Sequence, residues 1–103
     1  LGMILTGRRV SAKEGRELGF VNEVVAVGEA LPAAKRWAQQ ILECSPMAVR
    51  ASKEALYRGL DESCLETAIR TVYPAQQANL ESQDYIEGPK AFAEKRKPNW
   101  QNR

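Results

Sequence analysis

Apolar residues recur along this chain at helical rather than alternating spacing, and capping residues and breakers separate the runs. Met3-Ile4-Leu5 followed by Thr6-Gly7 reads as a last helical turn, with Gly7 as its left-handed stop. Ser11-Ala12-Lys13-Glu14 fits a reciprocal capping box. The Ser11 hydroxyl accepts from the Glu14 amide, and the Glu14 carboxylate reaches back to the Ser11 amide. The short helix that follows stops at Gly19, which takes positive φ without steric cost. Residues 20–25, Phe-Val-Asn-Glu-Val-Val, are β-rich and too short for a helix. They predict one extended segment, and a strand there finds its partner outside this chain.

A longer helix is predicted to start near Pro32, where a missing amide costs nothing. Leu31, Ala34, Trp37, Ala38, Ile41 and Leu42 fall on one of its faces. Ser45-Pro46 closes it and opens the next helix as N-cap and first residue. Ala48, Ala51, Ala55, Leu56 and Gly59 give that helix a face of mostly small residues suited to close packing, and Gly59 ends it. Asp61 or Ser63 is placed to cap a third, with Ser63 and Glu66 as another capping box. Its stripe is Leu65, Ala68, Ile69, Val72 and Tyr73, and Pro74 predicts a kink or a stop. Ser82 caps a final short helix carrying Asp84 and Glu87, whose charges suit a positive N-terminal dipole. Gly88-Pro89 is expected to break it. Residues 91–97 then form a basic-ended turn or two, closed by Pro98. The class is mainly α.

Length and composition bound this picture. A chain of 103 residues makes one domain at most. Fifteen basic and 13 acidic side chains leave a net charge of +2, too balanced to imply nucleic acid or a membrane surface as partner. No apolar run approaches the ~20 residues of a membrane span. Cys44 and Cys64 lack metal or disulfide spacing, which predicts two small buried hydrophobes in a reducing, cytoplasmic setting. The chain begins Leu1-Gly2 without an initiator methionine, as a piece of a longer protein does. The absence of histidine excludes Ser-His-Asp and Cys-His nucleophilic sites and His-ligated metal within these residues. Acid–base work would fall to carboxylates, lysines or tyrosines.

The candidates for that work are few. Asp61 and Glu62 are adjacent carboxylates that capping explains. Asp84 and Glu87, three apart on one helical face, suit either an acid–base pair or a helix first turn. Tyr57, Tyr73 and Tyr85 are possible proton donors, though amphipathic packing accounts for them. Gly7, Gly15 and Gly19 form no phosphate loop. Lys90, Lys95, Arg96 and Lys97, interleaved with Phe92 and Trp100, suit an anion and a stacked base. They equally suit a solvated helix end.

Several strings together are similar to one family. Leu5-Thr6-Gly7-Arg8, the run from Ser11 through Gly19 to Val25, Ser45-Pro46 and Ser52-Lys53 resemble the C-terminal part of enoyl-CoA hydratase/isomerase (crotonase-fold) proteins. So does the closing stretch Glu87-Gly88-Pro89-Lys90-Ala91-Phe92-Ala93-Glu94-Lys95-Arg96-Lys97-Pro98-Asn99-Trp100. The resemblance runs over the whole chain in order, and looks most like the branch with carnitinyl-CoA dehydratases and generic enoyl-CoA hydratases.

The resemblance implies that residues 1–103 are a single C-terminal helical domain that builds oligomers, without the β/α spiral domain that holds the oxyanion amides and catalytic glutamates. No catalytic residue or metal ligand is then expected here. Acyl-CoA is implied as substrate, with no separate cofactor, and the parent as a homo-oligomer, a trimer or a dimer of trimers. Lys95 matches a lysine that reaches the CoA phosphates, often from a neighbouring subunit. Phe92 matches the aromatic of the same motif, expected mainly to pack. Gln76 lies near the position where some members set an aromatic against the adenine, and its polar side chain departs from that pattern. Pro74 departs from the usual unbroken helix. The reading from another class is a free-standing helical interaction module without catalysis.

Overall fold

In the computed structural model, which describes residues 1–103, every regular element is a helix. The chain forms two compact units, Leu1–Trp37 and Ala38–Arg103. The first begins with α1 (Gly2–Thr6), stopped by Gly7 at φ 61° with its amide on the Met3 carbonyl. In α2 (Ala12–Glu17) the Ser11 hydroxyl accepts from the Glu14 amide, as expected. The reciprocal half of the box does not form. The Glu14 carboxylate instead meets the Arg8 guanidinium at 2.7 Å, because a full charge is a stronger partner than one more amide.

After α2 the chain turns tightly, with the Phe20 and Val21 amides both on the Gly15 carbonyl. A Cβ at position 15 would lie 2.8 Å from the Val21 side chain and 2.9 Å from the Phe20 ring, so any other residue there would force those side chains to shift. Residues 20–25 pair with no strand in the chain. They are tied to α3 (Ala30–Leu42) by Glu23, which accepts from Arg36 and, at 2.8 Å, from the Trp37 indole. Those two donors, the indole foremost, lower the Glu23 carboxyl below the usual range. Helix α3 starts two residues before Pro32, which still sits in its first turn, where a missing amide costs nothing. Its predicted apolar face is present but not covered: Leu31, Trp37, Ile41 and Leu42 are exposed, and Ala33 is its only buried residue.

The second unit is built around α4 (Pro46–Gly59), which packs chiefly on α6 (Pro74–Leu80) and also on α5 (Leu65–Arg70). Ser45 caps α4 as expected, accepting from the Ala48 amide at 3.3 Å. The cap of α5 is Cys64, not Asp61 or Ser63. Its sulfur accepts from the Thr67 amide at 3.5 Å, and the Thr67 contacts lower the thiol pKa. Both cysteines are exposed, against the expectation that they are buried. The stripe of Leu65 and Ile69 is likewise exposed, since α5 stops at Arg70 and Thr71 turns extended. Pro74 therefore opens a new helix that periodicity alone did not separate. Tyr73, only 3% exposed, anchors this junction. Its hydroxyl donates to Glu62 at 3.2 Å, and the Arg58 guanidinium stacks 4.9 Å from its ring centre.

Helix α7 (Gln83–Ala93) runs unbroken through Gly88-Pro89, contrary to the expected break. Proline removes one backbone donor and so leaves the Tyr85 carbonyl without its usual partner. The fixed φ of its ring is itself helical, and the anchored flanks carry the helix across. The basic run beyond it is not helical: α7 ends at Ala93.

Candidate functional site

The site predicted from the sequence lies on α7, on the turn after it and on α6. At the end of α7 the chain closes in a Schellman arrangement. The Lys95 amide donates to the Phe92 carbonyl at 3.1 Å and the Arg96 amide to the Ala91 carbonyl at 3.0 Å. Glycine usually occupies the left-handed residue of this motif. Here it is Lys95, at φ 54°. Its side chain is exposed at the tip of the turn.

Arg96, the next residue, is immobilised. Its guanidinium grips Glu87 in bidentate fashion at 2.6 and 2.9 Å, and its Nε donates to Glu94 at 2.6 Å. Glu87 also accepts the Asn99 amide at 2.7 Å. Arg96 and then this amide hold the Glu87 carboxyl down to about 2, and the two glutamates raise Arg96 further above its already high value. Arg96 is therefore not a free cation in the basic run. Lys95 is free of any such ion pair, as are Lys90 and Lys97.

Asp84, 2% exposed, is the other fixed carboxylate. It accepts from the Ser45 hydroxyl at 3.1 Å, the Gln101 amide at 2.7 Å and the Asn102 amide at 3.2 Å. It thereby joins the start of α4, the start of α7 and the C-terminal tail. Asp84 and Glu87 are both saturated with donors inside the unit, so their spacing reflects structure and not an acid–base pair. Trp100 is structural too. Its indole N–H takes the orphan Glu43 carbonyl at 2.9 Å, and its ring passes over Gly88.

Phe92 and Lys95 share the α7 terminus, while Gln76 stands apart on α6, half-buried. Phe92 is 87% exposed, so within this chain it packs on nothing. None of the three lines either of two depressions in the second unit. The first, about 350 Å³, is bounded by Leu42, Glu43, Lys97, Pro98 and Trp100. Another, about 300 Å³, is bounded by Gln83, Ile86, Glu87, Lys90, Asn99 and Gln101. The arrangement presents a fixed turn with a free ammonium, which can hold an anion. Sequence reasoning missed two devices. One is the Glu87–Arg96 clasp, whose nine-residue separation matches no helical spacing. The other is Glu54, which reaches from α4 to accept the Ala75 amide at 2.7 Å and so caps α6 from outside. That bond first, and Arg58 second, lowers the Glu54 carboxyl.

Comparison with known proteins places these features. The model of the enoyl-CoA hydratase/isomerase family matches residues 1–103. The carnitinyl-CoA dehydratase of Salmonella typhi is 42% identical over 108 residues, a match covering 98% of this chain and 40% of that protein. Among solved structures, one designated a short chain enoyl-CoA hydratase from Novosphingobium aromaticivorans superposes with a TM-score of 0.88. It is 41% identical, with all of this chain and 40% of that one covered. An enoyl-CoA hydratase from Bacillus anthracis gives a TM-score of 0.86 at 36% identity, covering 99% of this chain and 39% of that one. The chain thus spans about 40% of the length of the curated relatives it matches. With a family match from end to end and a mainly α fold shared with solved members, the chain belongs to the enoyl-CoA hydratase/isomerase family.

Proposed function

We propose that this chain is the C-terminal helical part of an acyl-CoA enzyme that adds water across the double bond of a 2-enoyl-CoA thioester. Its own share is assembly and capture of the CoA moiety, and the reacting groups lie elsewhere in the parent. The observation that carries this reading is the match of all 103 residues to the family at about 40% of its relatives' length. The names of those relatives, a carnitinyl-CoA dehydratase and enoyl-CoA hydratases, share one type of chemistry, removal or addition of water on a CoA thioester. In this reading Lys95 meets the CoA phosphates, Phe92 packs beside it, and Gln76 lies toward the adenine. The parent is a homo-oligomer, a trimer or a dimer of trimers.

The exposed apolar side chains support the assembly role. The only buried apolar residues are Ala33, Ala51, Tyr73 and Ala91. Two separate compact units of these sizes would together expose roughly 6,900 Å², whereas this chain exposes 8593 Å². Such a surface is suited to burial against other protein.

The test is steady-state hydration of crotonyl-CoA, followed by loss of the enoyl absorbance. The full-length protein is expected to turn over and the isolated 103 residues are not. Turnover by the isolated chain above background would remove the proposed division of labour, and an inert full-length protein would remove the reaction. Sedimentation of the full-length protein checks the oligomer, and a monomer would contradict it.

A further inference from the structure

The turn after α7 is overdetermined for a solvent-exposed loop. A lysine occupies a left-handed position where its Cβ is disfavoured. The chain on both sides of it is tied down. On one side the Lys95 and Arg96 amides close the Schellman turn on Phe92 and Ala91. On the other, Glu87 holds both the Arg96 guanidinium and the Asn99 amide, fixing residues 96 and 99 to the body of α7. The Glu94 carboxylate completes the guanidinium's partners through Nε. A backbone held in a disfavoured conformation by surrounding bonds marks a residue whose direction matters. Among the side chains in this clasped stretch, that of Lys95 is the free cation on the left-handed residue.

We infer that Glu87 is a positioning residue for anion capture: by clasping Arg96 and Asn99 it holds Lys95 in the left-handed turn that presents its ammonium to a phosphate. This rests on the reading above that Lys95 meets the phosphates of CoA. The second role of the clasp follows from charge. Without Glu87, Arg96 would keep its Nε contact to Glu94, leaving the two terminal guanidinium nitrogens without a carboxylate and able to compete beside Lys95 for the same phosphate. With it, Arg96 is neutralised and Lys95 is the free cation held in the left-handed position of the turn.

The experiment uses the full-length enzyme and two substrates, crotonyl-CoA and crotonyl-pantetheine, the second lacking every phosphate. Lys95→Met is expected to raise KM for crotonyl-CoA about tenfold, the value of one charge-assisted contact. Its kcat, and its KM for crotonyl-pantetheine, should stay within about twofold, below the ~1.4 kcal/mol that a tenfold change represents. Glu87→Gln should raise KM for crotonyl-CoA several-fold with the same selectivity, and should add nothing in the Lys95→Met background. Amide exchange on the Glu87→Gln protein should quicken at Arg96 and Asn99 while the helical amides of α4 stay protected.

The outcomes separate cleanly. If Lys95→Met leaves KM for crotonyl-CoA unchanged, both the phosphate reading and this inference fall. If Lys95→Met is selective for CoA but Glu87→Gln is silent, affects both thioesters equally, or adds in full to Lys95→Met, the inference falls and the phosphate reading stands. A merely structural Glu87 would give the equal loss on both substrates.

Discussion

Asp84 sets both carboxylate oxygens against donors from two distant segments, the start of α4 and the C-terminal tail, while almost wholly buried. An amide in its place keeps one acceptor but points an N–H at another N–H. Asp84→Asn should therefore cost about 2 kcal/mol, read as a lower melting temperature with faster exchange of the Gln101 and Asn102 amides. Glu87 yields a pH prediction. Its carboxyl falls from 4.5 to about 2 in the fold because Arg96 and Asn99 favour its charged form. The stabilisation it brings is therefore complete above about pH 4.5 and is lost as the pH drops toward 2. The NMR signal of the Trp100 indole, whose residue follows Asn99 in the clasped tail, should move across that window. In Glu87→Gln the shift of the Asn99 amide across that window should be absent. These roles were half legible beforehand. Spacing marks both acids as helix-start residues, but their partners lie on segments 9 to 39 positions away, beyond the reach of local spacing.

Helix ends that depend on adjacent residues are legible in the sequence: Gly7, Ser11, Ser45 and Ser82 all act where the local pattern places them. Ends that depend on distant groups were not. The start of α6 takes its cap from Glu54 on α4, and α5 is capped by a cysteine, whose sulfur is a weak acceptor. Helix α7 offers a test of why it survives its proline. Pro89 is exposed, lies in the seventh position and leaves the Tyr85 carbonyl without its helical donor. Pro89→Ala should restore that bond and stabilise the second unit by about 2 kcal/mol, seen as a raised melting temperature. No gain would mean that the proline's rigidity in the unfolded chain offsets the lost bond.

At the scale of the whole chain, the helical faces predicted from periodicity form, and most of them remain uncovered. Leu31, Ile41, Leu42, Leu56, Leu60, Leu65, Ile69 and Phe92 are all exposed, and the buried apolar set holds three alanines and one tyrosine. Burial at roughly 25 cal/mol per Å² rewards covering such surface. The isolated chain is accordingly expected to self-associate, giving a scattering mass that rises with concentration, and strict monomer behaviour at high concentration would count against the assembly role. Periodicity shows which residues share a face, but it does not say whether the covering surface belongs to the same chain.

The sequence by itself determined what adjacent residues can decide: the helical class, most helix starts, the left-handed stop at Gly7, and a family likeness carried by ordered strings. Those properties rest on local backbone geometry and on residue identity. Only the tertiary structure decided which charges are free. It tied Arg96 to Glu87, sank Asp84 among three segments, carried α7 through Pro89 and left Lys95 alone at the tip of a fixed turn. Those outcomes depend on donors and acceptors brought together from distant positions, and their bond strengths depend on the burial and orientation that packing supplies.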